Sequence, residues 1–244
     1  MKYGYSMPST NPLYLEPPYF YKGNKVISIV FRTSAEILME LVPPPLLPNT
    51  NNLAFIYVGE FNVDAPLKGK YKEAGIGIPV TFKERSGNFL TSLYLDSAQA
   101  IAGGREIWGW PKKDGIITFD AGDGTFHASV TREGVEIIRA SLKVSKMVKP
   151  IPDQLNTPAF NLKIVPSVVK GHDPEILQLT SAITVSHKKE LWSGEAALAF
   201  ASSPSDTLGR MPVLEIIMGE NYMEDMSLDC GEVLFDYLAE MNVK

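Results

Sequence analysis

Short strand-like runs, recurring along most of the chain, constrain its fold more than any other feature. Residues 25–32 alternate in polarity with enough β-branched content for a strand. Similar runs occupy 53–61, 76–83, 116–120, 125–131, 134–144, 160–166, 176–186, 195–201 and 212–218. Gly122, Gly124 and Gly134 punctuate turns between three of them. This pattern predicts a mainly β (α+β) fold, built as a barrel or a sandwich. Thr33-Ser34-Ala35-Glu36 has the spacing of a capping box, and residues 43–45, all proline, end the short helix it opens. Asp96 is placed to cap a second helix over 97–103. Residues 149–153 read as a loop, and 231–241 as either a helix or a strand with a tail.

No internal repeat or composition break divides the 244 residues, so 1–244 reads as one domain. Pro8, Pro12, Pro17 and Pro18 make 1–20 an extended segment that wraps the body or a neighbouring subunit. The net charge of -5 argues against a nucleic-acid partner bound through a basic face. No apolar stretch approaches the roughly 18 residues of a membrane span. The first residues lack the apolar core of a secretory signal, so a cytoplasmic protein is the simplest expectation. Cys230 has no partner for a disulfide. His127, His172 and His187 lack ligand-type spacing, so no metal is expected. His127 fits a strand and His172 a loop.

Chemistry concentrates in Gly104-Arg105-Glu106-Ile107-Trp108-Gly109-Trp110-Pro111-Lys112-Lys113-Asp114-Gly115. A lysine that attacks a carbonyl must be neutral, and an unperturbed ammonium is neutral in only about one molecule in 2,500 at pH 7. An apolar pocket and a second ammonium both disfavour the charged form. Trp108 and Trp110 supply apolar area, and Pro111 fixes the backbone just ahead of the amines. Lys188-Lys189 lies in a polar run after His187 and is expected at the surface.

This segment resembles the signature of acetoacetate decarboxylases, which runs Gly-Arg-Glu, a few residues, aromatic-Pro-Lys-Lys, then Gly. Supporting blocks are similar in order along nearly the whole chain. They include Ile29-Val30-Phe31-Arg32-Thr33, Ile78-Pro79-Val80, Tyr94-Leu95-Asp96, Leu162-Lys163-Ile164-Val165-Pro166, Glu190-Leu191-Trp192-Ser193-Gly194 and Met211-Pro212-Val213-Leu214-Glu215-Ile216. The resemblance implies a β-barrel-like core with a few peripheral helices, a homo-oligomer, and a small keto acid as substrate. It implies Lys112 as the Schiff-base nucleophile and Lys113 as the neighbour that helps to keep it neutral, a logic for which this family is the standard example. It also implies that Glu73, in Tyr71-Lys72-Glu73, lines the site and relays a proton. No cofactor is required, because the lysine itself supplies the electron sink.

Three places depart from the family pattern. An arginine expected beside Asn24 is absent, and Lys25 follows instead. A glutamate expected in the strand after Leu53 is replaced by Tyr57 or Val58. Trp110 stands where a tyrosine is typical. Trp110 and Tyr57 are therefore expected in the substrate pocket, with its polar groups changed. The leading reading is decarboxylation of acetoacetate or a related β-keto acid. An aldolase or dehydratase using the same iminium is the alternative, and a non-catalytic binding barrel a third. Arg105 and Glu106 are expected as ordinary structural charges, an ion pair that holds the loop being the alternative, and Arg32 either to pack or to attract a carboxylate.

Overall fold

The computed structural model describes residues 3–66, 68–149 and 157–241. One hydrogen-bonded sheet holds β1 (Tyr19–Arg32), β2 (Leu47–Pro48), β3 (Leu53–Ala65), β4 (Gly69–Phe82), β5 (Arg85–Leu95), β6 (Lys112–Asp114) and β7 (Ile116–Gly122). It continues through β8 (Thr125–Arg132), β9 (Val135–Val148), β10 (Pro158–Val165), β11 (Ile176–Phe200), β12 (Glu215–Leu228) and β13 (Glu232–Asp236). The helices are short: α1 (Ala35–Leu41), α2 (Ala98–Gly103) and α3 (Tyr237–Met241). A π-helical turn, Gly104–Trp108, follows α2 directly.

Strand order runs β10-β5-β4-β3-β1-β12-β11, and β11 pairs back onto β10. Those strands close into the expected barrel-like ring. Beyond β11 the sheet continues as β9, β8 and β7, and β7 folds back against β3, β4 and β5. The ring strands therefore bury both faces, and period-2 alternation sorts their side chains between two cores. Ile27, Ile29, Ile56, Val58, Ile76 and Ile78 pack outward against Ile117, Phe119 and Val130 of the added strands. Tyr21, Val26, Phe61, Tyr71, Leu95, Trp108 and Leu228 pack inside the ring. The second, aromatic core surrounds the lysine motif.

Most predicted strands are present with longer bounds. The runs at 176–186 and 195–201 are one strand, because β11 stays paired throughout, exchanging β10 and β13 for β12 and β9 along its length. The lysine-rich segment 68–72 belongs mainly to the β3–β4 hairpin. Residues 231–241 form both alternatives in turn, strand β13 and then α3. Ser34, not Thr33, caps α1 by accepting from the Ile37 N–H. Ser97 likewise caps α2, while Asp96 accepts from the Lys72 N–H on β4 instead. Of the loop at 149–153, residues 150–153 lie outside the described residues. Residues 3–18 run without helix over α2 and the π-turn, where Tyr14 donates to Glu106 at 2.6 Å and Gln99 donates to the Leu13 carbonyl.

One carboxylate ties the added strands to the ring. Asp206 is buried and accepts from Tyr94 Oη at 2.7 Å, Lys113 Nζ at 2.6 Å and Arg132 Nε at 3.0 Å. Burial alone would push its carboxyl up, but these three donors together outweigh burial and hold it below the usual carboxylate range. The depressed folded value means that the stabilisation is present above the unfolded value of about 3.9 and fades as pH falls through the folded one. Asp206→Asn is therefore expected to cost about 1–3 kcal/mol at pH 7. In urea unfolding the gap from wild type should narrow below roughly pH 4; a gap independent of pH would contradict this assignment.

Candidate active site

The short strand β6 runs parallel to β5, with Leu93 opposite Lys112 and Tyr94 opposite Lys113. Successive strand residues face opposite ways. Lys112 therefore enters the ring on the side of Leu93 and Leu95, and Lys113 follows Tyr94 to Asp206 on the other side. The strand is placed by the turn before it. Gly109 ends the π-turn at φ 74°, and a Cβ there would sit 2.5 Å from Lys163 Cα. The Arg105 guanidinium then donates to the Lys112 carbonyl at 3.1 Å.

Inside the ring, Lys112 is 3% exposed and Glu73 is 5% exposed. Lys112 Nζ donates to Glu73 Oε2 at 2.9 Å, and Tyr57 Oη donates to Glu73 Oε1 at 2.6 Å. The Nζ also lies 4.8 Å from the Trp110 ring centre and 5.8 Å from that of Tyr71. Trp110 stacks on Trp108 at 5.0 Å, and Tyr71 on Phe61 at 5.6 Å. Burial, with Glu73 adding to it, pushes the Tyr57 hydroxyl well above its ordinary value, so it stays a donor. Sequestering an ion pair costs several kcal/mol. A handful of fully buried aliphatic and aromatic side chains, at about 1.5–3 kcal/mol each, offsets that.

Two cavities meet at this cluster and share Tyr21, Tyr71, Trp110 and Leu228 as walls. One, of about 210 Å3, reaches Lys112 from the side of Tyr14, Tyr19 and α2. The other, of about 290 Å3, holds Glu73, Tyr57, Lys188, Tyr222 and Glu224. Both suit a small ligand rather than a drug-sized one. Trp110 lines both, and its buried indole N–H has no partner among the described residues.

Lys112, Glu73, Trp110 and Tyr57 thus converge, as expected. Of the two positions where a glutamate was expected, Tyr57 faces the pocket and Val58 the outer core. Lys113 does not converge: its ammonium, on a side chain 39% exposed, is neutralised by Asp206 on the opposite face. Arg105 and Glu106 bind the Lys112 carbonyl and Tyr14, respectively, and not each other. Arg32 pairs with Glu215 at 3.0 Å, outside the cluster. Asn24 is fully buried, and its Oδ1 accepts from the Asn62 N–H. The expectation that Lys188 and Lys189 both lie at the surface fails for Lys188, which alternation turns inward; Lys189 is half exposed and pairs with Asp225. The signal was available in the run Thr184-Ser186-Lys188, spaced by two along one strand.

The family model of acetoacetate decarboxylase matches residues 6–238. The chain belongs to the acetoacetate decarboxylase family. It is 32% identical to acetoacetate decarboxylase 3 of Mesorhizobium japonicum, over 99% of this chain and 94% of the relative. A solved structure described as acetoacetate decarboxylase superposes with a TM-score of 0.87 at 28% identity, covering 96% of each chain. The enduracididine biosynthesis enzyme MppR, solved with pyruvate, shares the fold at a TM-score of 0.84 but is only 20% identical, covering 97% of this chain and 99% of that one.

An enzyme of the acetoacetate decarboxylase family therefore carries a buried lysine–glutamate pair at the end of a π-turn. Gly104 makes room for that lysine. A Cβ at position 104 would lie 2.5 Å from Lys112 Cδ and 2.7 Å from Cε. Gly104→Ala is expected to displace Nζ from Glu73 and to slow reductive capture of a ketone on Lys112 by about 10- to 100-fold. The melting temperature should fall by no more than about 4 °C. Capture at the wild-type rate would show that Lys112 does not depend on this gap.

Proposed function

We propose that the enzyme decarboxylates acetoacetate or a closely related β-keto acid through a Schiff base on Lys112. The observation that carries this reading is the buried hydrogen bond between Lys112 Nζ and Glu73 Oε2. Moving one proton along that bond converts ammonium and carboxylate into a neutral amine and a carboxylic acid. The neutral pair keeps the hydrogen bond and carries no charge that burial penalises. Lys112 is then a nucleophile and Glu73 an acid, with the Lys113 ammonium turned away to Asp206.

The amine attacks the ketone carbon. The carbonyl oxygen, taking protons from the nitrogen and from Glu73, leaves as water, and an iminium remains. The bond from the α-carbon to the carboxylate then breaks. Its electron pair moves into the iminium, giving an enamine as carbon dioxide departs. Glu73, reprotonated from solvent, delivers a proton to the enamine carbon, and water releases the ketone and the free lysine. One proton is consumed per turnover. Tyr57 fixes the Glu73 carboxyl by its 2.6 Å bond. Lys113 has a structural part in this scheme, through Asp206. The reading places the enzyme in the cytoplasm as a homo-oligomer, for which exposed Ile217 and Met218 on β12 offer an apolar contact.

A second reading, aldol or dehydratase chemistry through the same iminium, draws support from Tyr57. A phenol hydrogen-bonded to the relay carboxylate changes which proton moves next. Product analysis with acetoacetate and pyruvate side by side separates the two readings.

Borohydride in the presence of acetoacetate should leave a reduced adduct on Lys112, with carbon dioxide released in its absence. Lys112→Ala should give no adduct, and its absence from wild type would end this proposal. Glu73→Gln should lower turnover by about 10²–10⁴-fold. Lys113→Ala should keep adduct formation with an unchanged pH–rate profile, because its ammonium is already paired elsewhere. A profile displaced to higher pH would return Lys113 to the mechanism.

A further inference from the structure

The cavity beside Glu73 holds a cation that the reaction steps above leave unused. Lys188 sits on β11 opposite Glu224 of β12, beside a β-bulge between Lys188 and Glu190. Its side chain is 18% exposed. The Nζ lies 3.8 Å from the Tyr222 ring centre and 3.9 Å from Glu220 Oε2. The second distance is an ion pair too long for a hydrogen bond. The ammonium therefore has three donors and no close acceptor among the described residues.

Its carboxylate neighbours stand off rather than bind it closely, Glu220 at 3.9 Å. Burial pushes the Lys188 ammonium below its ordinary value, against the pull of Glu220 and Glu224. Burial also raises the Glu224 carboxyl, although the Ser186 hydroxyl and Lys188 oppose it. Among the described residues no other lysine or arginine lines this cavity, which Glu73 and Trp110 also line.

We infer that Lys188 binds the carboxylate of the substrate and makes the cavity selective for a keto acid over a neutral ketone. The identity of that substrate rests on the Lys112 reading; the recognition of a carboxylate does not. A substrate carboxylate supplies the close acceptors that Glu220, at 3.9 Å, does not, in a site largely shielded from water. The contact also has a kinetic signature. As carbon dioxide forms, negative charge leaves the carboxylate, so Lys188 holds the ground state more tightly than the transition state. Its loss therefore raises KM and leaves kcat unchanged or higher.

The test uses 3-hydroxybutyrate, which cannot form an imine, and its neutral amide, with binding measured by calorimetry. Wild type should bind the acid about 10- to 100-fold more tightly than the amide. Lys188→Gln should abolish that preference, Lys188→Met, which keeps the volume of the stem, should do the same, and Lys188→Arg should retain it. Equal affinities in wild type, or a preference that survives in Lys188→Gln or Lys188→Met, would overturn the inference. In turnover of acetoacetate, Lys188→Gln should raise KM by a similar factor with kcat unchanged or higher. A fall in kcat at unchanged KM would assign Lys188 a structural role instead. If the acid preference tracks Lys188 while no imine forms on Lys112, the Lys112 reading fails and this one stands.

Discussion

The hydrogen bond between Lys112 and Glu73 is the constraint around which the ring is organised. Two ionisable groups shut away from water are tolerated only when each satisfies the other. Every neighbouring element contributes to that condition. β4 presents Glu73, β3 presents Tyr57 to hold its second oxygen, and β6 presents Lys112. The stacked pairs Trp108–Trp110 and Phe61–Tyr71 exclude solvent on two sides. The π-turn sets the depth of β6, and Gly104 leaves the lysine stem a channel.

The adjacent lysines illustrate how strand geometry divides labour. On one short strand, Lys112 turns to Glu73 and Lys113 to Asp206, because neighbouring side chains cannot share a face. Asp206 gathers Lys113, Arg132 and Tyr94, joining β6, β8 and β5 at the seam between ring and added strands.

Local features were legible in the sequence, and long-range ones were not. The strands announced themselves by alternation, and Trp110-Pro111-Lys112 marked the site because aromatic area, a fixed backbone and an amine stood together. Glu73 and Tyr57 were reached through resemblance, since a lone carboxylate on a hairpin carries no signal of its own. The direction of Lys113 was implicit in strand parity but masked by its identity with Lys112. Lys188 was hidden because a run of His, Lys, Lys and Glu reads as solvated; only the register of β11 against β12 turns one member inward. Asp206 lies more than ninety residues from Lys113, and nothing near it in sequence announces the contact.

The origin of the product's oxygen tests the central claim most directly. If Lys112 forms an imine, the substrate's ketone oxygen must leave as water and the product's must come from solvent. Turnover of acetoacetate in ¹⁸O-labelled water should therefore give a ketone carrying the label at every turnover, well ahead of uncatalysed exchange. Carbon dioxide released at the enzymatic rate, with the ketone keeping its original oxygen, would contradict a covalent role for Lys112.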